Sequence, residues 1–556
     1  MKMKYIDFIE RAFEAYSDQQ LKQYCVSVYA GGITEHGFPR LTANLGVLIA
    51  HGRKAEYKNQ FKNMMDFCCA DIPVALKRNN DLGIGNDFSV REIVMCMLEI
   101  EKSRVFPQSV TESWRNSLKK INPYETYNRI ASVPPVRINN WAAFGAASEQ
   151  LRKYAGLSDT SEFIENQIQS QLLSFDENGM YRDPHEPMVY DIVARLQLMI
   201  ALYYGYDGEG KEKLLDNMLK SADMTLKTLS VTGEIPFGGR SNQFIHNETL
   251  YAAVCEYYAT LFKSRGEMKK AGSFKCAANK AMQLAWEWLD SDDTIHHIKN
   301  YYPTDSMYGC EVYAYFDKYM ITAASWAYVA YSIADDSIKE ESDFENENYI
   351  CETSPYFHKV FCKFGDYFAE FDTNADINYD STGLGKFQKR GMPSTLCLST
   401  PLTKEPRYKI DIENPSGLSL CGGIQTDNGY VCTFDTESEF KLVEKELSGT
   451  HLKVQFDCDG LYNESYTLTD DGLKIEICGQ GEVIFNVPVF YFDGKKYTEI
   501  SVTDTTIEVT YKGHRCRYVT DGKIEDTSSL YANRNGHYKH FTIRNKDKIV
   551  LYVDMK

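Results

Sequence analysis

The chain has 556 residues, 43% of them hydrophobic and 25% charged, with a formal net charge of −17. That is too long for one small core, and the composition is that of a globular protein of two large domains. With no basic run to offset it, the acidic charge excludes nucleic acid as a partner.

The first ten residues lack the apolar core of a signal peptide and read as the start of an amphipathic helix. No window approaches a membrane span, so no membrane partner is expected. The fifteen cysteines are an odd number and contain no Cys-x-x-Cys. They fit reduced, mostly buried thiols rather than a disulfide framework or a zinc site. The expected location is cytoplasmic, although a secreted form with its signal removed would look the same. No cofactor and no metal site are expected.

From residue 1 to 334 apolar residues recur at helical spacing, as in Ile93, Met97 and Ile100, or Ile192, Leu196, Met199 and Tyr203. Breakers such as Gly31-Gly32, Pro134-Pro135, Gly179 and Gly238-Gly239 divide this half into roughly ten to twelve helices. No fixed repeat period appears, which favours a closed helical array over a solenoid. Residues 335–348 are acidic and polar and read as a linker. From 349 to 556 the grammar is alternating, as in Leu452-Lys-Val-Gln-Phe456 and Leu473-Lys-Ile-Glu-Ile477. Turns at Asn428-Gly429, Asp459-Gly460, Asp471-Gly472, Asp493-Gly494 and Asp521-Gly522 separate the runs. The expected architecture is α+β multidomain: a helical (α/α) toroid over 1–334, then an antiparallel β-sandwich over 349–556.

Four segments of the helical half place polar groups beside aromatics at loop–helix junctions. They are Asn79 to Glu92, Arg137 to Trp141, Asn178 to Asp191, and Gly233 to Glu248. In a toroid the loops at one rim converge, so these segments can build one cleft. The last is the richest: Gly238-Gly239 permits a sharp turn, Ser241 or Asn242 can cap the following helix, and Arg240 suits a carboxylate.

A helical array followed by a sandwich resembles the toroid-plus-sandwich polysaccharide lyases of the chondroitin, hyaluronate and heparinase kind, and more weakly the toroid glucuronidase-type hydrolases. The likeness in element order covers nearly the whole chain. The sequence offers Asn139/Asn140, His185, Tyr190 and Arg240 in the order those lyases use. The resemblance implies β-elimination on a uronate-containing oligo- or polysaccharide. Asn140 would neutralise the carboxylate, His185 and Tyr190 would share acid and base, and Arg240 would orient the sugar acid. Where the family carries a second arginine this chain has Asn242, Gln243 and His246, which makes His246 a competing base or neutraliser. Trp141, Asn139, Tyr181, Asn242 and Gln243 are candidate substrate contacts, with Trp141 able to stack on a sugar.

Hydrolysis is the second expectation. Asp87, Asp183, Asp191 and Glu248 are carboxylates beside aromatics in those loops, and an inverting glycosidase needs two. A non-catalytic carbohydrate-binding protein is the third. Plainer accounts exist for single residues: Asn139 as a helix cap, Asp87 as a first-turn charge, Asp183 as the turn residue of Asp-Pro, Trp114 as core. In the β half, Tyr379 to Gly391 is Gly-rich and basic. It reads either as a solvated loop or as a loop bringing Lys386, Lys389 and Arg390 over the cleft. The pairs His296-His297 and His537/His540 read as solvated surface or strand positions.

Overall fold

The computed structural model describes residues 2–78, 88–127, 134, 139–290, 294–434 and 439–556. The expected segment 79–87, with Asp87, and the positions Arg137 and Ile138 lie outside them. Fourteen α-helices fall within the described residues, more than the spacing predicts. They are α1 (Met3–Phe13), α2 (Asp18–Gly31), α3 (Gly37–Ala50), α4 (Lys58–Arg78), α5 (Ser89–Ser103), α6 (Gln108–Leu118) and α7 (Pro123–Thr126). After these come α8 (Asn140–Tyr154), α9 (Ser161–Leu172), α10 (Met188–Tyr203), α11 (Lys211–Thr228), α12 (His246–Ser264), α13 (Met268–Leu289) and α14 (Phe316–Ile333).

Six of them close a ring in the order α3, α5, α8, α10, α12, α14, with α14 returning to α3. These inner helices are the ones buried almost all round. In α12 every residue from His246 to Ala259 is buried, Glu248 and Glu256 among them. A helix enclosed on all sides must satisfy such groups internally, and Glu256 meets Lys275 of α13 at 2.7 Å. Outer helices with one wet face, such as α1, α9 and α13, pack against the ring.

After α14 the chain runs along the ring rather than hanging free. Asp335 pairs with Lys263, Glu345 pairs with Lys280, and Glu341 N–H donates to Gly272 at 3.0 Å. The β half begins at Tyr349 with a four-stranded sheet, β1 (Tyr349–Glu352), β2 (Lys359–Phe364), β3 (Tyr367–Asp372) and β4 (Gly383–Lys389), paired in that order. An eleven-stranded sheet follows. Its strands are β5 (Cys421–Thr426), β6 (Gly429–Cys432), β7 (Phe440–Leu447), β8 (Leu452–Cys458), β9 (Tyr462–Thr469) and β10 (Gly472–Phe492), then β11 (Glu499–Val502), β12 (Thr506–Tyr511), β13 (His514–Thr520), β14 (Lys523–Asn533) and β15 (Gly536–Met555). All pairings are antiparallel, and the five predicted Asn-Gly and Asp-Gly turns stand between strands or at the start of one, Gly429 opening β6 and Gly472 opening β10. All fifteen cysteines are free, and all but Cys276 and Cys478 are buried.

The small sheet is the middle layer, which is why β2 and β3 are buried along their whole length. Val360, Cys362, Ala369 and Phe371 enter the sandwich core. Phe361 and Phe368 face the helical half and pack with Met180, Met188, Met224 and Val231. The same face carries charge. Lys386 lies 3.4 Å from Glu234, in the segment between α11 and α12, and 3.3 Å from Glu370, while Lys359 lies 2.8 Å from Asp372. Tyr379 to Gly391 is therefore not a loop over the cleft. Most of it is strand β4 and its entry, Lys386 is wholly buried, Lys389 donates to the Met555 carbonyl, and Arg390 pairs with Glu345 and Asp366.

Removing one partner of such a pair strands a buried charge. Lys386→Met is expected to destabilise the protein by about 3–5 kcal/mol. Lys445→Met, which breaks an exposed pair with Glu352, should cost under about 1 kcal/mol. Urea unfolding of the two variants side by side measures the difference.

Candidate active site

The first turns of all six inner helices meet at one rim. His36 precedes α3, Phe88 precedes α5, Asn140 opens α8, Tyr190 lies in the first turn of α10, His246 opens α12 and Lys318 lies in the first turn of α14. All six line one cleft of about 450 Å³. Each helix start contributes partial positive charge and unpaired N–H groups, so the ring biases this rim toward anions. Trp141, Tyr190, Tyr313 and Tyr319 give the cleft aromatic walls suited to a sugar face.

The segment carrying Arg240 is a strap clamped from behind. Four alternate amides each donate to a carboxylate: Ile235 to Glu248 at 3.5 Å, Phe237 to Glu370 at 3.3 Å, Gly239 to Asp380 at 2.7 Å and Ser241 to Glu311 at 2.6 Å. Glu370 and Asp380 come from the β half. Glu311 is itself held by Arg534, at 2.8 Å, from the β14–β15 turn. Gly239 adopts φ +74, and a Cβ there would stand 2.7 Å from Pro187 Cα, so only glycine fits. Neither Ser241 nor Asn242 caps α12. Ser241 has φ +61, and the Asn242 amide donates to the Pro236 carbonyl at 2.9 Å.

Arg240 leaves the strap toward α10. Its guanidinium lies 4.1 Å from the Tyr190 ring centre and donates to Asp183 and, at 2.9 Å, to the Pro184 carbonyl. The buried Asp183 also accepts from Asn140 Nδ2 at 2.7 Å, so one carboxylate orients both the amide and the cation. Tyr190 OH is 3.3 Å from Ser241 Oγ, which is 3.0 Å from Tyr313 OH, forming a chain of three hydroxyls along the wall. Burial first, and then the charge of Arg40, pushes the His246 imidazole down to about 3. That shift favours its neutral form.

The predicted residues divide. Asn140, Trp141, Tyr190, Arg240 and His246 line the cleft together. His185 does not line it; it stands exposed on the loop before α10 with φ +67. Asn139 precedes α8 at φ +47 and makes no side-chain cap. Tyr181 is buried and donates to Gln171, while Asn242 and Gln243 are buried beneath the strap. Of the carboxylates, Asp191 is bound to Arg195 at 2.6 Å and Glu248 to Lys299 at 2.6 Å, both away from the cleft. His296 and His297 are buried rather than solvated, His537 and His540 are strand positions of β15, and Trp114 is core, donating to Asp66 at 2.6 Å. No group of three or more potential metal ligands occurs among the described residues.

Glu35, His36, Arg40, Tyr313 and Lys318 line the cleft and were not singled out from the sequence. Their signal was present: each stands just before or within the first turn of an apolar helix, the same context as the chosen segments. From the β half, Tyr356 OH donates to the Asp183 carbonyl, and His358 bridges Asp372 at 2.5 Å and Glu186 at 2.9 Å.

The closed ring of inner helices backed by antiparallel sheets is the toroid-plus-sandwich fold of known polysaccharide lyases. No family model and no curated protein matches the sequence. Among solved structures, heparinase III superposes with a TM-score of 0.53 at 7% identity, over 94% of this chain and 77% of that one. A heparan sulfate lyase mutant from Pedobacter heparinus gives 0.50 at 10% identity, over 93% and 76%. A glycosyl hydrolase family 88 structure from Bacteroides vulgatus matches 60% of this chain with a TM-score of 0.36 at 11% identity. The first two show a shared architecture; the third is too loose to carry weight.

Burial would lower the His358 pKa, but the carboxylates of Asp372 and Glu186 outweigh it and hold it up at about 9. A histidine raised above its unfolded value of about 6.5 contributes stability that is complete below that pH and lost as pH rises through about 9. The expected loss is on the order of 3 kcal/mol. Denaturation midpoints at either end of that window measure it, and His358→Gln should flatten the dependence.

Proposed function

We propose that this protein is a carbohydrate-active enzyme that cleaves a uronate-containing glycan by β-elimination. The observation that carries this reading is the set of groups lining the cleft: an amide, a phenol, a guanidinium and a neutral imidazole. Of the carboxylates expected for hydrolysis, Asp183 is taken up behind the cleft wall by Asn140 and Arg240, Asp191 by Arg195 and Glu248 by Lys299. Among the described residues Glu35 is the one carboxylate lining the cleft, and it already accepts from Tyr24 OH at 2.5 Å and Gly37 N–H at 2.7 Å. An inverting hydrolase needs two, and the fourth candidate for that chemistry, Asp87, lies outside the described residues just before the cleft-lining Phe88. The fold shared with heparinase III and a heparan sulfate lyase supports the same class.

In this reading the sugar carboxylate meets the free N–H of Asn140, whose other amide hydrogen is fixed on Asp183, and the remaining donors of Arg240. Neutralising that carboxylate stabilises the charge that forms when the C5 proton leaves. Tyr190, with Arg240 over its ring and Ser241 at its hydroxyl, is placed to exchange that proton. The C5–H electron pair becomes the C4–C5 double bond, the C4–O bond breaks, and the departing oxygen takes a proton. The hydroxyl chain to Tyr313 gives that proton a route.

The test is ultraviolet absorbance during digestion of a panel of glucuronate-, iduronate- and galacturonate-containing glycans. A rise is expected on at least one of them. Tyr190→Phe and Asn140→Ala should then lower kcat by about 10²–10⁴, and Arg240→Met should lower kcat/KM by a similar factor. New reducing ends with flat absorbance would instead mean hydrolysis. Binding without turnover would mean a carbohydrate-binding protein.

A further inference from the structure

Across the ring from Arg240, the cleft wall built by α3 and α14 brings two cations, Arg40 and Lys318, to the cleft. Arg40 and Arg91 both pair with the single carboxylate of Glu92, Arg40 at 3.2 Å. Arg40 also donates to Thr322 at 2.6 Å. Lys318 lies 3.9 Å from Glu35, whose oxygens already accept from Tyr24 and Gly37. Arg40 and Lys318 line the cleft, Arg91 stands behind them in α5, and Asp317 in the first turn of α14 adds a carboxylate beside Glu35. Arg40 and Lys318, each with three-quarters or more of its side chain removed from water, favour an anion that reaches them.

A second observation concerns neutral groups. The rings of His36 and His246 are buried, line the same cleft, and make no hydrogen bond among the described residues; Nδ1 of each is enclosed without a partner. Trp326, also lining the cleft, keeps its buried indole N–H without an acceptor. Most buried polar groups in folded proteins are paired, and a cluster of three that are not marks a place where a ligand completes the network. Burial first, and then the charge of Arg40, holds both imidazoles in the neutral form. An anion beside them would offset that charge.

We propose that His36, Arg40, His246, Lys318 and Trp326 form a second subsite, opposite Asn140 and Arg240, which binds an oxyanion of the carboxylate, sulfate or phosphate kind. That the oxyanion is a second acidic group on the same glycan rests on the functional reading above. That the subsite takes an oxyanion does not. The cleft would thus select ligands with two acidic groups set apart by the width of the ring, with neutral sugar face between them on the aromatic walls.

Inorganic sulfate is the probe, titrated into the full-length protein by calorimetry and followed through the histidine ring resonances of selectively labelled protein. Saturable binding at millimolar sulfate or below is expected, with the His36 and His246 resonances moving together. Lys318→Met should weaken it about tenfold, the value of one lost charge contact of about 1.4 kcal/mol. Arg240→Met should leave it within about twofold. Absence of saturable shifts at the two histidines overturns the subsite. So does binding that disappears in Arg240→Met and survives in Lys318→Met, which would move the anion to the other wall. The readout needs no turnover, so it stands or falls separately from the lyase reading.

Discussion

The constraint on which the rest depends is the seam of buried charge between the ring and the middle sheet. Glu234 and Glu248 of the helical half share Lys299, Glu234 also meets Lys386, and Lys386 shares Glu370 with Lys359, which in turn holds Asp372. No member tolerates the loss of its neighbour without leaving a charge in a dry interior. Such a chain fixes one docking geometry of the two halves, because sliding either half breaks several pairs at once.

That fixed docking is what shapes the site. The strap from Ile235 to Ser241 has no ladder partner of its own, and its amides are answered instead by carboxylates, half of them from the β half. Arg240 and Ser241 stand where they do because Asp380, Glu370 and the Arg534-bound Glu311 hold the backbone beneath them. The sandwich thus acts on the cleft without lining it. Its contribution is positional, transmitted through hydrogen bonds to the backbone rather than through side chains that reach a ligand.

The ring contributes the complementary half of the design. Six helix starts at one rim supply a bias toward anions, and aromatic walls supply sugar-sized apolar surface. Between them Asp183 absorbs the charge of Arg240 from the strap and holds Asn140 of α8 beside it. A carboxylate that looks like a candidate acid in the sequence is, in the fold, the fixture for the groups beside it.

The sequence by itself determined the fold class. Helical periodicity up to Ile333 and strand alternation after Tyr349 are local signals, set by which face of each element is wet. It also located the polar segments that open α8, α10 and α12, because Asn140, Tyr190 and Arg240 stand in loop–helix contexts that periodicity exposes. Only the tertiary structure decided which of those residues meet. Tyr181 and His185 belong to the same segment as Tyr190, yet one turns into the core and the other into solvent. Lys386 and Arg390 look like surface cations until Glu234, Glu370 and Glu345 are found against them. His36, Arg40 and Lys318 come from opposite ends of the helical half and adjoin only because α14 closes on α3. Spacing along the chain records local burial, whereas pairing of charge between residues as far apart as 51 (Lys299 and Glu248) or 223 (Arg534 and Glu311) depends on ring closure and domain docking, which no local pattern encodes.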